Sequence, residues 1–118
     1  MFRVSSYRRR NGDCPYEDYV ESLFNTGRKK DAAKIDDYVQ SLSERGSYVL
    51  QNLNWADKLN DVWELRPGRH RILYFLDPRN GTYVLLSGFL KRTRKTPRDE
   101  LRRAERLMSE YSARQREV

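Results

Sequence analysis

Apolar residues recur at spacings of three and four through Tyr16, Tyr19, Val20, Leu23 and Phe24, which predicts an amphipathic helix that opens on Pro15 and stops at Gly27. The same period returns from about Lys29 to Arg45, with Ile35, Tyr38, Val39 and Leu42 on one face and Gly46 as the terminator. The pattern then changes from helical spacing to short apolar runs bounded by turn residues. Val62-Trp63-Glu64-Leu65-Arg66 ends at Pro67-Gly68, Arg71 to Leu76 ends at Asp77-Pro78-Arg79-Asn80-Gly81, and Tyr83 to Leu90 is the most apolar run of the chain. A short alternation at Phe2-Arg3-Val4 predicts a first strand, followed by a loop at Arg8 to Gly12. The last element should start at Thr96-Pro97-Arg98-Asp99, with Thr96 as cap, Pro97 in the first position and Asp99 completing a capping box. Leu101, Ala104, Leu107, Met108 and Tyr111 form its apolar face, and the residues from Ser112 to Val118 are expected to fray.

The predicted order is β-α-α-β-β-β-α. It implies an α+β domain spanning residues 1–118, in which a small twisted antiparallel-meander sheet carries a helical hairpin on one face. The other face is expected to remain free for basic residues.

Charge sharpens this picture. The 118 residues carry a net charge of +7, and the stretch from Arg66 to Arg98 holds nine basic residues against the single acid Asp77. The remainder is close to neutral, so one contiguous third carries the excess, as expected of a protein that binds a polyanion. With 35% of residues charged and 37% hydrophobic, the core must be modest and rely on aromatic side chains. The lone Cys14 excludes an internal disulfide and fits a reducing, cytoplasmic setting. No apolar run approaches the roughly 20 residues of a membrane span, and the N-terminus lacks a signal-peptide core. Membrane partners and cofactors are therefore not expected.

Ribonuclease chemistry by attack of the ribose 2′-OH requires a base, an acid and stabilisation of the phosphorane charge. A pair of histidines is excluded because His70 is the only one, and no carboxylate pair or metal-ligand cluster stands near the basic third. Arg, Lys and Tyr remain. Arg71 and Tyr74 fall on the second meander strand, and Lys91-Arg92 follow the third, so neighbouring strands would bring them to one surface. Arginine suits bidentate phosphate binding, whereas Lys91 is the better candidate base because surrounding positive charge lowers the cost of its neutral form. Tyr74 would stack on a base or supply a proton, or else fill the core. His70, between Arg69 and Arg71 near a tight turn, reads first as an exposed bystander and second as an RNA contact.

Three blocks now taken together, Trp63 to Pro67, Arg71 to Phe75 and Leu85 to Pro97, resemble the phage-derived HigB-like branch of the RelE/ParE toxin superfamily. Lys34-Ile35-Asp36-Asp37-Tyr38 in the hairpin resembles that branch too, so the resemblance extends over nearly the whole chain. It implies a RelE-like, microbial-ribonuclease-like fold and a toxin of a type II toxin–antitoxin system. The implied activity is metal-independent, ribosome-dependent cleavage of mRNA. Arg71 matches the family's functional arginine, Lys91 and Arg92 match its basic pair, and Arg66 is a fourth catalytic candidate. Arg69, His70, Tyr74, Arg94, Lys95 and Arg98 are the expected RNA-binding residues. Val62 and Glu64 stand where RelE has lysines, and Arg98 falls near the place of its last-helix tyrosine. The implied partners are the ribosome with its mRNA and a cognate helix-turn-helix antitoxin of the HigA-like kind. Two other functions fit the same sequence: a ParE-like toxin that poisons DNA gyrase, and a non-catalytic basic RNA-binding module.

Overall fold

A computed structural model describes residues 1–117. Its elements in chain order are β1 (Arg3–Ser6), α1 (Pro15–Asn25), α2 (Lys29–Arg45), α3 (Ser47–Asn52), β2 (Ala56–Leu59), β3 (Val62–Leu65), β4 (His70–Asp77), β5 (Thr82–Leu90) and α4 (Arg98–Arg116). The strands form one sheet in the order β1-β5-β4-β3-β2. Strands β2 to β5 run antiparallel to their neighbours, while β1 joins the edge parallel to β5. The predicted α+β meander is present, enlarged by one helix and one strand.

Pro15 occupies the start of α1, followed by Glu17 and Asp18 in the first turn, where negative charge complements the helix dipole. Gly46, at φ +83°, ends α2 as expected, and the chain turns directly into the unforeseen α3. The extra strand β2 pairs with β3 around Asn60-Asp61, with Leu59 opposite Val62. Asn60 has φ +61°, the conformation a two-residue hairpin requires and that Asn tolerates.

The helices α1, α2 and α3 cover one face of the sheet, burying Leu23, Ile35, Leu42 and Leu50 against Leu65, Ile72, Tyr74 and Leu85. The opposite face is not free, contrary to expectation. There α4 buries Ala104 and Leu107 against Val62, Leu73, Phe75, Val84, Leu86 and Phe89. A run such as Val84-Leu85-Leu86, apolar at successive positions, fills both sides of a sheet and needs cover on both.

Two further expectations about α4 are corrected. The helix begins at Arg98 with Pro97 at its N-cap and no side-chain capping bond, so Thr96 is not the cap. Nor does the chain fray from Ser112, since α4 continues to Arg116. The Arg114 guanidinium donates to the Arg8 carbonyl at 2.6 Å and lies over the Tyr7 ring, Arg9 and Tyr7 bond Glu110, and Arg10 pairs with Glu117. The loop after β1 thus fastens the end of the helix.

A bulge in β5 sets up the functional end of the sheet. Tyr74 pairs with Leu85 but Leu73 pairs with Ser87, leaving Leu86 as an extra residue. Before the bulge the odd-numbered residues Tyr83 and Leu85 pack toward α1–α3. Beyond it Phe89 packs on the α4 side. The inserted residue therefore rotates the end of β5 so that Phe89, paired with Arg71, leads the chain out toward Lys91 on Arg71's side of the sheet.

Candidate functional site

The β3–β4 turn and the segment after β5 lie side by side, with the Lys91 amide donating to the Arg69 carbonyl at 2.8 Å. Between them runs an open groove of about 720 Å³ lined by Gly68, Arg69, Arg71, Lys91, Arg92 and Arg94, together with Leu90 and Thr93. Five cations thus share one concavity. A larger groove, about 880 Å³, follows β1, but its one cation, Arg3, is bonded to the Asn80 carbonyl. It gathers no comparable charge.

Arg71 is held in its turn by two hydrogen bonds from Nη1, to the carbonyls of Gly68 and His70, each 2.8 Å. Its Nε is buried and has no partner among the described residues. Burial pulls the guanidinium below its usual pKa, with nearby Glu64 opposing the shift and Arg66 adding to it. An arginine remains charged through such a shift.

Arg66 is differently placed. Its Nε donates to Glu64 Oε2 at 3.0 Å and its Nη2 to Asp57 Oδ2 at 3.2 Å, so its charge is already matched by carboxylates. Glu64 is 1% exposed, and its second oxygen accepts the Thr96 hydroxyl at 2.7 Å. This glutamate went unrecognised in the sequence, where a carboxylate flanked by apolar residues reads as an ordinary strand position. It ties Arg66 and the segment from Lys91 to Pro97 to the sheet.

Tyr74 and His70 do not reach the groove, and both assignments as RNA contacts are corrected. Tyr74 is fully buried on the helical side, its hydroxyl bonded to Ser47 at 2.8 Å, and burial raises its pKa so that it stays protonated. His70 is 4% exposed rather than an exposed bystander. Its Nδ1 meets the Tyr19 hydroxyl at 2.6 Å and its Nε2 meets Asp31 at 3.0 Å. Adjacent strand residues point to opposite faces, so His70 enters the core because Arg71 leaves it. Its bonds to α1 and α2 anchor the turn whose carbonyls hold Arg71.

Arg69, Arg92, Arg94, Lys95 and Arg98 are exposed, and Lys91 is half-buried. Among the described residues no group of three or more His, Cys, Asp or Glu is close enough to hold a metal ion, and no helix is long and apolar enough to cross a membrane. What the groove offers is a set of cationic donors lining one concavity, with Lys91 a primary amine among guanidinium groups.

A fold of this kind is found among solved structures. The crystal structure of the archaeal RelE–RelB complex from Pyrococcus horikoshii OT3 contains a chain that superposes with a TM-score of 0.57 at 16% identity, covering 80% of this chain and 98% of that one. The toxin–antitoxin complex RelBE2 from Mycobacterium tuberculosis gives 0.49 at 18% identity, over 76% and 98%. No curated protein sequence matches the chain at a significant level. The family model of phage-derived protein Gp49-like (DUF891) matches residues 24–109. The chain belongs to that family, on a RelE-like fold.

Proposed function

We propose that this protein is the toxin of a type II toxin–antitoxin pair and acts as an endoribonuclease on mRNA held by the ribosome. The observation that carries the reading is the groove in which Arg71, Lys91 and Arg92 converge beside Arg69 and Arg94. The Gp49-like membership and the RelE-like fold support it.

In this reading Arg71 and Arg92 bind the phosphate at the cut and stabilise the charge that grows on its oxygens. Lys91, in its neutral form, takes the proton from the ribose 2′-OH as that oxygen attacks phosphorus. The bond from phosphorus to the 5′-oxygen breaks, that oxygen takes a proton from solvent, and a 2′,3′-cyclic phosphate and a 5′-hydroxyl are left. Glu64 is not assigned as base, because Arg66 and Thr96 occupy both its oxygens. Arg66 serves through Glu64, as a support of the groove. The phosphate contacts use side chains of the protein itself, so the activity is assigned as metal-independent. So sparse a site fits an enzyme whose substrate is oriented by the ribosome, since orientation alone can be worth about 7 to 11 kcal/mol.

The chain related in fold was solved as RelE with RelB, and a neutralising antitoxin is proposed here, of the helix-turn-helix, HigA-like kind. The proposed setting is the cytoplasm. Induced expression with RNA 5′ ends mapped across the transcriptome tests the function. The account expects growth arrest, new ends inside translated codons, and rescue by the antitoxin encoded beside the gene. Arrest with intact mRNA and altered DNA supercoiling would replace it with gyrase poisoning, and no arrest with RNA binding alone would reduce it to a binding module.

A further inference from the structure

The groove does not use all the unmatched positive charge. Arg98, Arg102 and Arg106 follow one another at four-residue steps along α4 and are exposed. Four residues advance a helix by about 6 Å, so the three guanidinium groups form a slowly turning row opposite the buried Ala104 and Leu107. Among the described residues none of the three takes part in a salt bridge. Asp99 and Glu105 flank the row without bonding to it. At its upper end the row continues through Lys95 and Arg94, both exposed, into the groove.

A packing role does not account for these residues, because the apolar face of α4 points the other way. Nor do they balance acidic neighbours, as the loop arginines do in the Arg9–Glu110 and Arg10–Glu117 pairs at the far end of α4. The row contains no aromatic side chain on which an unstacked base could lie, and proteins that hold single strands rely on such platforms. A duplex RNA is instead gripped through its phosphates and shape.

We propose that the outer face of α4, centred on Arg102 and Arg106, is a second RNA contact that grips the phosphate backbone of a ribosomal RNA helix while the groove takes the mRNA strand. The choice of ribosomal RNA rests on the ribosome-dependent reading above; the preference for a duplex backbone rests on the row itself. The surface contributes affinity and orientation, and the groove contributes the cut.

Arg102→Gln with Arg106→Gln, compared with Arg71→Ala and the parent, separates the two surfaces. The probes are vacant ribosomes and a short blunt RNA duplex, titrated at several salt concentrations. The double variant should bind both probes at least about tenfold more weakly, with the slope of log affinity against log salt reduced by about 1 to 2, while exposed Lys30→Ala, outside both surfaces, binds as the parent does. Lys at both positions should restore binding, because a phosphate accepts a point charge. Parental affinity and salt slope in the double Gln variant would overturn the proposal, as would a parent that fails to bind duplex RNA at low salt. Normal RNA binding with loss of neutralisation by the antitoxin would also overturn it and make the row a protein contact. If Arg71→Ala cleaves mRNA normally while the α4 variant loses RNA binding, the assigned groove fails and the α4 surface stands.

Discussion

The Thr96 hydroxyl donates a 2.7 Å hydrogen bond to the buried Glu64 carboxylate, joining residues from opposite ends of the basic third. The bond closes the segment after β5 down onto the sheet, so that Lys91 and Arg92 leave Leu90 beside Arg71 instead of extending into solvent. Thr96→Val keeps the side-chain shape, removes the donor and leaves one Glu64 oxygen unmet. The expected cost is about 1 to 3 kcal/mol of stability. Cleavage should fall further than that loss explains, to about a tenth of parental, while Thr96→Ser retains both. Denaturant unfolding and cleavage rates on the same preparations make the comparison.

A second relationship governs Arg71 from below. Tyr19, buried His70 and partly exposed Asp31 form a hydrogen-bonded chain under the β3–β4 turn, and Gly88 is what lets Tyr19 lie so close. A Cβ on Gly88 would come within 2.5 Å of the Tyr19 ring and 3.0 Å of Ile72. Gly88→Ala should therefore destabilise by about 1 to 3 kcal/mol, the range for overpacking a tight site. It should also disturb the turn holding Arg71. Tyr19→Phe removes only the hydroxyl and should cost less stability. Thermal melts of both variants, with proton NMR of the His70 ring, separate crowding from the lost hydrogen bond.

Acid should loosen the far end of α4. The hydrogen bonds from Arg9 and then Tyr7 hold the Glu110 carboxyl below its usual value of 4.5, with Arg9 and Arg114 charges assisting and burial opposing. Because the folded value is depressed, the contribution is present above about pH 4.5 and is lost as pH falls through the folded value. Glu110→Gln should flatten that part of the stability profile and leave stability less dependent on pH below about 4.5. Melting temperature against pH for parent and variant reads this directly; parallel curves would remove Glu110 from the account. The side chain is about one-third exposed, so salt should weaken the effect.

Much of the fold was legible because strong local signals agreed with the tertiary structure. Pro15, Gly27 and Gly46 bracket the two long helices, and the apolar runs of β4 and β5 end at turns rich in Pro, Gly, Asn and Asp. What escaped was short or stabilised by distant partners. Helix α3 buries only Ser47 and Leu50 and has too few turns to show a period. Strand β2 carries Asp57 and Lys58, although Asn60-Asp61 between Leu59 and Val62 was an available hairpin signal. The final turns of α4 looked like a tail because their support comes from Tyr7 to Arg10, a hundred residues earlier in the chain.

The site was legible as a cluster of charge and less so in its individual members. Sequence places Arg71, Lys91 and Arg92 on one surface, and the groove contains all three. It left His70 on the surface beside Arg71, although strand alternation sends Arg71 to the groove and His70 to the core. Arg66 stood as a fourth catalytic candidate, and its two carboxylate partners give it a supporting place instead. Arg79, also within the basic third, pairs with buried Asp77 at the opposite end of the sheet, where Tyr111 also bonds that carboxylate. Its loss should lower stability and leave the groove unchanged.

The most direct test of the central claim is the rate of mRNA cleavage on programmed ribosomes by the parent, Arg71→Ala, and Lys91→Ala with Arg92→Ala. Melting temperatures are recorded for each, and exposed Lys30→Ala serves as the charge control. Lost contacts to a developing charge commonly cost about 2.7 to 4 kcal/mol, or about 100- to 1000-fold in rate, whereas surface changes usually stay within about 0.5 kcal/mol of stability. Parent and Lys30→Ala should cut, and the two groove variants should cut at least about 100-fold more slowly, all four melting alike. Groove variants that melt like the parent and cut at its rate would contradict the claim.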